Sequence, residues 1–244
     1  VEGKVHPKDP ENRGNSESKR PILVCELHAH TLYSRDSLLS LDVFLAACRR
    51  KGLDRVAVTD HNTIAGALRL KEMDPERIIV GEEVRTTQGE LIAYFLKKEI
   101  PVDLAPRQAI DVVHEQGGMV GVSHPLDRLR REAMGAETLI TLLDQLDFLE
   151  VYNARCLIAA DNRAARDLAL QHGIPMTAGS DAHSLWELGR AVTLLPPFDS
   201  PSTFLDVLPQ AEVRGQRSPP WIHFVSTMAK IRRRLRLARP LPES

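Results

Sequence analysis

The sequence has few aromatic residues, few cysteines and no long apolar run. Aromatics make up 5% of its 244 residues, which gives little support to a base-stacking surface for single-stranded nucleic acid. The three cysteines, Cys25, Cys48 and Cys156, share no paired spacing. Neither a disulfide framework nor a cysteine-based zinc site is indicated, and a reducing compartment fits. No stretch approaches the length of a membrane span, and the start of the chain lacks the apolar core of a signal peptide. The expected location is therefore cytoplasmic.

What is present is the composition of an ordinary globular protein, with 43% hydrophobic and 27% charged residues. A chain of this length can bury a full core as one large α/β domain or two small ones. Residues 1–20 are polar and almost free of large apolar groups, so a flexible leader is expected there. The net charge of −1 hides an asymmetry. Lys230, Arg232, Arg233, Arg234, Arg236 and Arg239 lie in a run without acids, leaving about −7 for the rest. Residues 216–244 are therefore expected to form a separate basic amphipathic helix and tail, and residues 21–215 the main domain.

Short apolar runs alternate with longer amphipathic ones. Strands are expected at 22–27, 55–59, 77–81, 90–96, 119–123, 148–152 and 175–180, with the fourth joined to the third through the Gly89 turn. Helices are expected between most of them, one starting at the potential N-cap Ser40 and stopping at Gly52, others leaving through Gly118 and Gly173. This rhythm is that of parallel βαβ units. With no G-x-G-x-x-G after the first strand, a barrel is favoured over a dinucleotide-binding open sheet.

In α/β barrels the chemistry sits at the C-terminal ends of the strands. Those ends carry "HAH" (His28 and His30), with Asp36 in the following loop, then "TDHN" (Asp60, His61) and "GEEV" (Glu82, Glu83). They continue with "SHP" (His124), "EVYN" (Glu150, Asn153) and "GSDAH" (Asp181, His183). Five of the nine histidines fall there. His6, His114, His172 and His223 lie on the leader or on expected helices and need no function. Taken singly, each residue at the strand ends could be a cap or a turn residue. Together, imidazoles and carboxylates converging without a cation would leave like charges and desolvated groups facing one another.

The ordered motifs H-x-H, T-D-H, G-x-E, H-P and S-D-x-H resemble the polymerase and histidinol phosphatase (PHP) family over about residues 22–195. The resemblance implies an α/β fold, a distorted (βα)7 TIM-like barrel, and up to three divalent metal ions, zinc, manganese or iron. It implies that His28, His30, Glu83 and Asp181 hold a first metal, and that Glu83 bridges to a second held by His124. Asp36, His61 and His183 would hold a third. Asp181, His183 and Glu83 are the candidate catalytic residues. The segment "EVYNARCLIA" departs from relatives that carry a further histidine or cysteine after the fifth strand. The second site could therefore be completed by Glu150, Asn153 or water.

The implied activity is that of a metal-dependent phosphoesterase, a hydrolase in which a metal-bridging hydroxide attacks phosphorus. Arginine forks suit phosphate oxygens, and Arg128 and Arg155 are the candidate substrate clamps, with Arg190 a weaker third. Asp60 is expected to support His61. The substrate would be a phosphorylated small molecule, a nucleotide or an oligonucleotide. Alternatives are hydrolysis of a carbonyl substrate, as in amidohydrolases, and a non-catalytic metal-binding module. Contact of the basic tail with a membrane or nucleic acid is the less favoured reading; packing of its apolar face on the barrel is preferred.

Overall fold

In the computed structural model, residues 22–222 and 226–231 are described. The expected leader, 1–20, lies outside them, as does the greater part of the basic run.

The chain begins with β1 (Leu23–Ala29), α1 (Leu41–Arg50), β2 (Arg55–Val58), α2 (Ala65–Met73), β3 (Ile78–Thr86) and β4 (Gly89–Tyr94). It continues with α3 (Pro106–Glu115), β5 (Met119–Val122), α4 (Ala136–Ile140), β6 (Phe148–Asn153), α5 (Ala159–His172) and β7 (Met176–Gly179). All seven expected strands are present. Beyond them come β8 (Ala191–Leu195), α6 (Pro201–Val207) and β9 (Glu212–Gly215), which the sequence reading did not anticipate.

One sheet runs in the order β7-β6-β5-β4-β3-β2-β1-β8-β9. β1, β2 and β3 are parallel, as are β5, β6 and β7, while β4 runs antiparallel to both of its neighbours. The sheet curls until its ends meet. The His30 amide donates to the Ala182 carbonyl at 2.9 Å, linking the end of β1 to the residues after β7. The result is a nearly closed, distorted TIM-like barrel.

The helices cover its outside because their apolar residues recur at helical spacing. α1 buries Phe44, Leu45, Ala47 and Cys48, and Arg49 and Arg50 in its last turn oppose the helix dipole. Ser40 takes the N-cap position, but its hydroxyl makes no capping bond. α5 ends on Gly173 in the left-handed conformation, whereas the residue with positive φ after α3 is Gly117, one before the expected Gly118. A smaller apolar cluster includes Leu27, Ile92, Tyr94, Phe148 and Phe204. There Tyr94 stacks on Phe148, and its hydroxyl donates to the Leu27 carbonyl at 2.8 Å. That bond anchors β1 one residue before His28.

All three cysteines are buried and free, and burial raises their thiol pKa values, to about 12 for Cys25 and Cys48 and about 11 for Cys156. No helix among the described residues is long and apolar enough to cross a membrane.

Candidate metal centre

Glu83 lies at the middle of the C-terminal end of the barrel. Its Oε1 is 2.8 Å from His124 Nε2 and 3.3 Å from His28 Nε2. Its Oε2 is 3.1 Å from His61 Nδ1 and 3.4 Å from His30 Nε2. Asp181 Oδ1 is 3.3 Å from His30 Nε2 and 3.8 Å from His28 Nε2. Asp36 faces His183 Nε2 at 3.2 Å and His61 Nε2 at 3.6 Å.

These donors are held in place from behind. Glu150 Oε1 accepts from His28 Nδ1 at 2.8 Å, which turns Nε2 toward the site. His30 Nδ1 meets Ser34 Oγ at 3.1 Å, and His183 Nδ1 donates to the Asp181 carbonyl at 2.8 Å. Gly179 makes room for His28: a Cβ there would lie 2.2 Å from His28 Cβ. His124 and Asp181 both have positive φ, 32° and 52°. Such conformations cost energy in residues with side chains and cluster where function needs them.

The arrangement fits divalent ions. His28 Nε2, His30 Nε2, Asp36 Oδ1, Glu83 Oε2, Asp181 Oδ1 and His183 Nε2 are all buried without a hydrogen-bond partner. Unpaired buried polar atoms are costly, and a cation satisfies them together. Donors about 2.1 Å from one tetrahedral ion lie roughly 3.4 Å apart, close to the spacings found here. Mixed imidazole and carboxylate ligation suits zinc, manganese or ferrous iron better than calcium.

The electrostatics agree. Burial opposes charge on Glu83, yet His28 and His61 hold it well below the usual carboxylate range. Asp181 is likewise held low against burial, by Arg130 and His28. Burial, followed by the charges of His183 and His61, pushes His30 down to about 3. Burial and Arg155 also lower His183. Against burial, Glu150 and Glu83 raise His28 well above the ordinary imidazole value, and Glu83 and Asp36 raise His61 to about 10, so these two rings carry protons whose place a metal ion would take.

Residues 26–172 match the PHP domain family, and residues 159–213 match the PHP-associated family. The chain belongs to the PHP family. It is 34% identical over 196 residues to the uncharacterized protein MJ0417 of Methanocaldococcus jannaschii, covering 75% of this chain and 78% of that protein. Its fold is similar to that of a two-domain protein from Bacteroides vulgatus described as containing a predicted PHP-like metal-dependent phosphoesterase. The TM-score is 0.67 at 19% identity, over 88% of this chain and 70% of that one. It is also similar to the lesion-specific endonuclease PfuEndoQ from Pyrococcus furiosus, with a TM-score of 0.56 at 17% identity, over 79% and 58% of the two chains. PHP membership implies divalent metal ions, and the clustered histidines and carboxylates supply the donors.

The PHP motif residues His28, His30, Asp36, His61, Glu83, His124, Asp181 and His183 all converge on this one end of the barrel. Glu82 points elsewhere and accepts from the Ile100 amide at 3.0 Å. Neither residue considered for completing the second site approaches as a free donor. Glu150 accepts from His28, from the His124 amide and from Asn153 Nδ2. Asn153 is engaged by Glu150, Asp181 and the Arg155 amide. Asp60 reaches the expected His61 through Ser34, whose oxygen accepts from the His61 amide at 3.1 Å, and reaches His30 by the same route. It accepts from Thr31 and from Ser34, whose hydroxyl contacts His30.

Glu90 was missed. Buried on β4, it lies 3.6 Å from His124 Nε2 and 3.7 Å from His61 Nδ1. Burial and the charge of Glu83 raise its pKa to about 8. The available signal was the hairpin itself: pairing of Arg85 with Glu90 puts Glu90 on the same face as Glu83.

The two chosen arginines separate. Arg128 pairs with Asp161 at 2.8 Å and lines an adjoining cavity. Arg155 lines the site, 2.9 Å from His183 Nδ1, and donates to Ser226 Oγ at 2.6 Å. Arg130 lies there too and donates to Asp181 Oδ2 at 2.6 Å. Arg190 is outside, stacked on Trp186. Residues 226–231 are helical and cross the mouth, where Lys230 Nζ is 3.2 Å from Asp36 Oδ2. The cavity over these histidines and carboxylates has a volume of about 470 Å³.

Proposed function

We propose that this PHP protein is a metal-dependent phosphoesterase, hydrolysing a phosphate monoester or diester. The observation that carries this reading is the set of buried, unpaired ligand atoms at ion-sized spacing, opening into a cavity that also holds Arg130, Arg131, Arg155 and Lys230.

His28, His30, Glu83 and Asp181 hold a first ion. Glu83 extends to a second group with His124 and Glu90, and Asp36, His61 and His183 form a third. When bound, the ions polarise the phosphoryl group and lower the pKa of water so that it serves as nucleophile near neutral pH. Glu83 offers one oxygen to each side of the centre, which fixes the spacing between its halves. His28 and His183 carry their protons on Nδ1, held by Glu150 and by the Asp181 carbonyl, so their Nε2 lone pairs stay available. Arg130 and Lys230 face the cavity with fixed positive charge where phosphate oxygens gather. Arg155, paired with Glu187 at 3.1 Å, places a further positive charge beside Asp181 and helps keep the His183 ring neutral. Arg130 replaces Arg128 as the favoured clamp, because it lines the cavity over the metal centre and Arg128 does not.

A cavity of this size admits a nucleotide-sized ester, and the presence of an endonuclease among the structural neighbours is compatible with a nucleic-acid end. Hydrolysis of a generic aryl phosphate, measured for the wild type, Asp181→Asn and Arg130→Ala, tests the reading. The expected outcome is activity abolished in the first variant and a raised KM in the second. Metal-loaded protein inert to aryl, nucleotide and diester substrates would overturn it.

A further inference from the structure

The scarcity of aromatics gives little reason to expect a base-stacking surface, yet the two tryptophans of the chain are both exposed in one place. Trp186 is 43% and Trp221 54% accessible, and their rings lie 5.3 Å apart. Arg190 packs over Trp186 at 4.0 Å and donates to the Arg217 carbonyl at 2.7 Å. Exposed aromatic side chains gathered in one patch are a mark of interaction sites, where tryptophan is enriched.

Arg190 thereby links the pair to Arg217, which lines a further cavity of about 220 Å³ together with Tyr152, Arg163 and Arg166 and with no acidic residue. The three arginines are solvent-exposed. One hydrogen bond links this cavity to the metal-centre cavity. Leu157 lines the latter, and its carbonyl accepts from Arg217 Nη1 at 2.8 Å. The tryptophan segments are tied to the same place: Glu187 pairs with Arg155 at 3.1 Å, and the Ser218 amide donates to the Ala154 carbonyl.

We infer that this surface binds single-stranded nucleic acid and presents a phosphoester near the strand's end to the metal centre. The inference rests on the phosphoesterase reading and names its substrate class. A small ester needs nothing beyond the first cavity. A strand needs repeated phosphate sites and flat rings for its bases, and here a group of exposed arginines and a pair of exposed indoles are joined through Arg190. A lipid surface fits less well, because the arginines line a concavity and one of them covers a tryptophan face.

Because both tryptophans belong to the proposed surface, intrinsic fluorescence of the full chain titrated with oligothymidylate of about 12 nucleotides reads it directly. The expected result is saturable quenching that weakens with salt. Arg163→Glu with Arg166→Glu should weaken binding more than roughly tenfold and flatten the salt dependence. Trp186→Leu with Trp221→Leu, followed by anisotropy of a labelled strand, should weaken it roughly tenfold. Both double variants should hydrolyse aryl phosphate as the wild type does, which also shows that they fold. Absence of binding at low salt, or binding indifferent to both double variants, overturns the surface. So does binding to phosphatidylserine vesicles without binding to the strand. Aryl phosphate turnover without strand binding refutes the surface alone. Strand binding with no ester hydrolysed refutes the phosphoesterase reading and leaves the surface standing.

Discussion

Glu82 and Glu83 are adjacent on β3, equally buried, and opposite in behaviour. On one face of the wall, Glu82 meets the Ile100 amide and the low dielectric of the protein, and burial raises its pKa to about 8. On the other face, Glu83 meets four imidazoles and stays ionised despite the same burial. The comparison shows that burial alone does not determine a carboxylate's charge. Neighbours that can share a cation turn a costly group into a ligand.

The sharpest way to break the contrast is to neutralise each partner in turn. Glu83→Gln should lose metal and activity by more than the 10–100-fold typical of a residue that merely supports a ligand. Metal content and aryl phosphate turnover measure it. Gly179→Ala comes next, since its Cβ would sit 2.2 Å from that of His28 and the backbone must shift. A loss on the order of 1–3 kcal/mol in denaturant unfolding is expected, with weakened metal binding. Glu150→Gln, which leaves His28 in place but loosens its tautomer, should reduce metal affinity about 10–100-fold with little change in stability.

Glu82→Gln should leave metal content unchanged and alter only the pH dependence of stability. The folded-state pKa of Glu82, about 8, lies above its ordinary value of 4.5, so folding favours the protonated form. That contribution is complete below about 4.5 and is lost as pH rises through about 8. Unfolding measured between these limits should therefore show a flatter profile in the variant than in the wild type.

The barrel strands were legible because each is a short apolar run between turn residues. β9 was not, because "EVRG" is largely exposed and carries no apolar alternation. β8, "AVTLL", precedes a proline pair, and its pairing with β1 is a long-range antiparallel contact with no local sign. The eight residues proposed as ligands stood out because they fall at or just after strand ends and in the order of the PHP motifs. Glu90 became visible only through the register of the hairpin that carries it. Arg128 and Arg130 could not be ranked from sequence, since the choice depends on a loop in which Asp161 captures the first and Asp181 the second.

The most direct test of the account is elemental analysis of the protein purified without added metal, alongside His30→Ala and Asp181→Asn. The account predicts two or three divalent ions per chain in the wild type and a clear loss in both variants. A wild-type chain that neither contains nor takes up transition metal, or variants that retain the full complement, would contradict it.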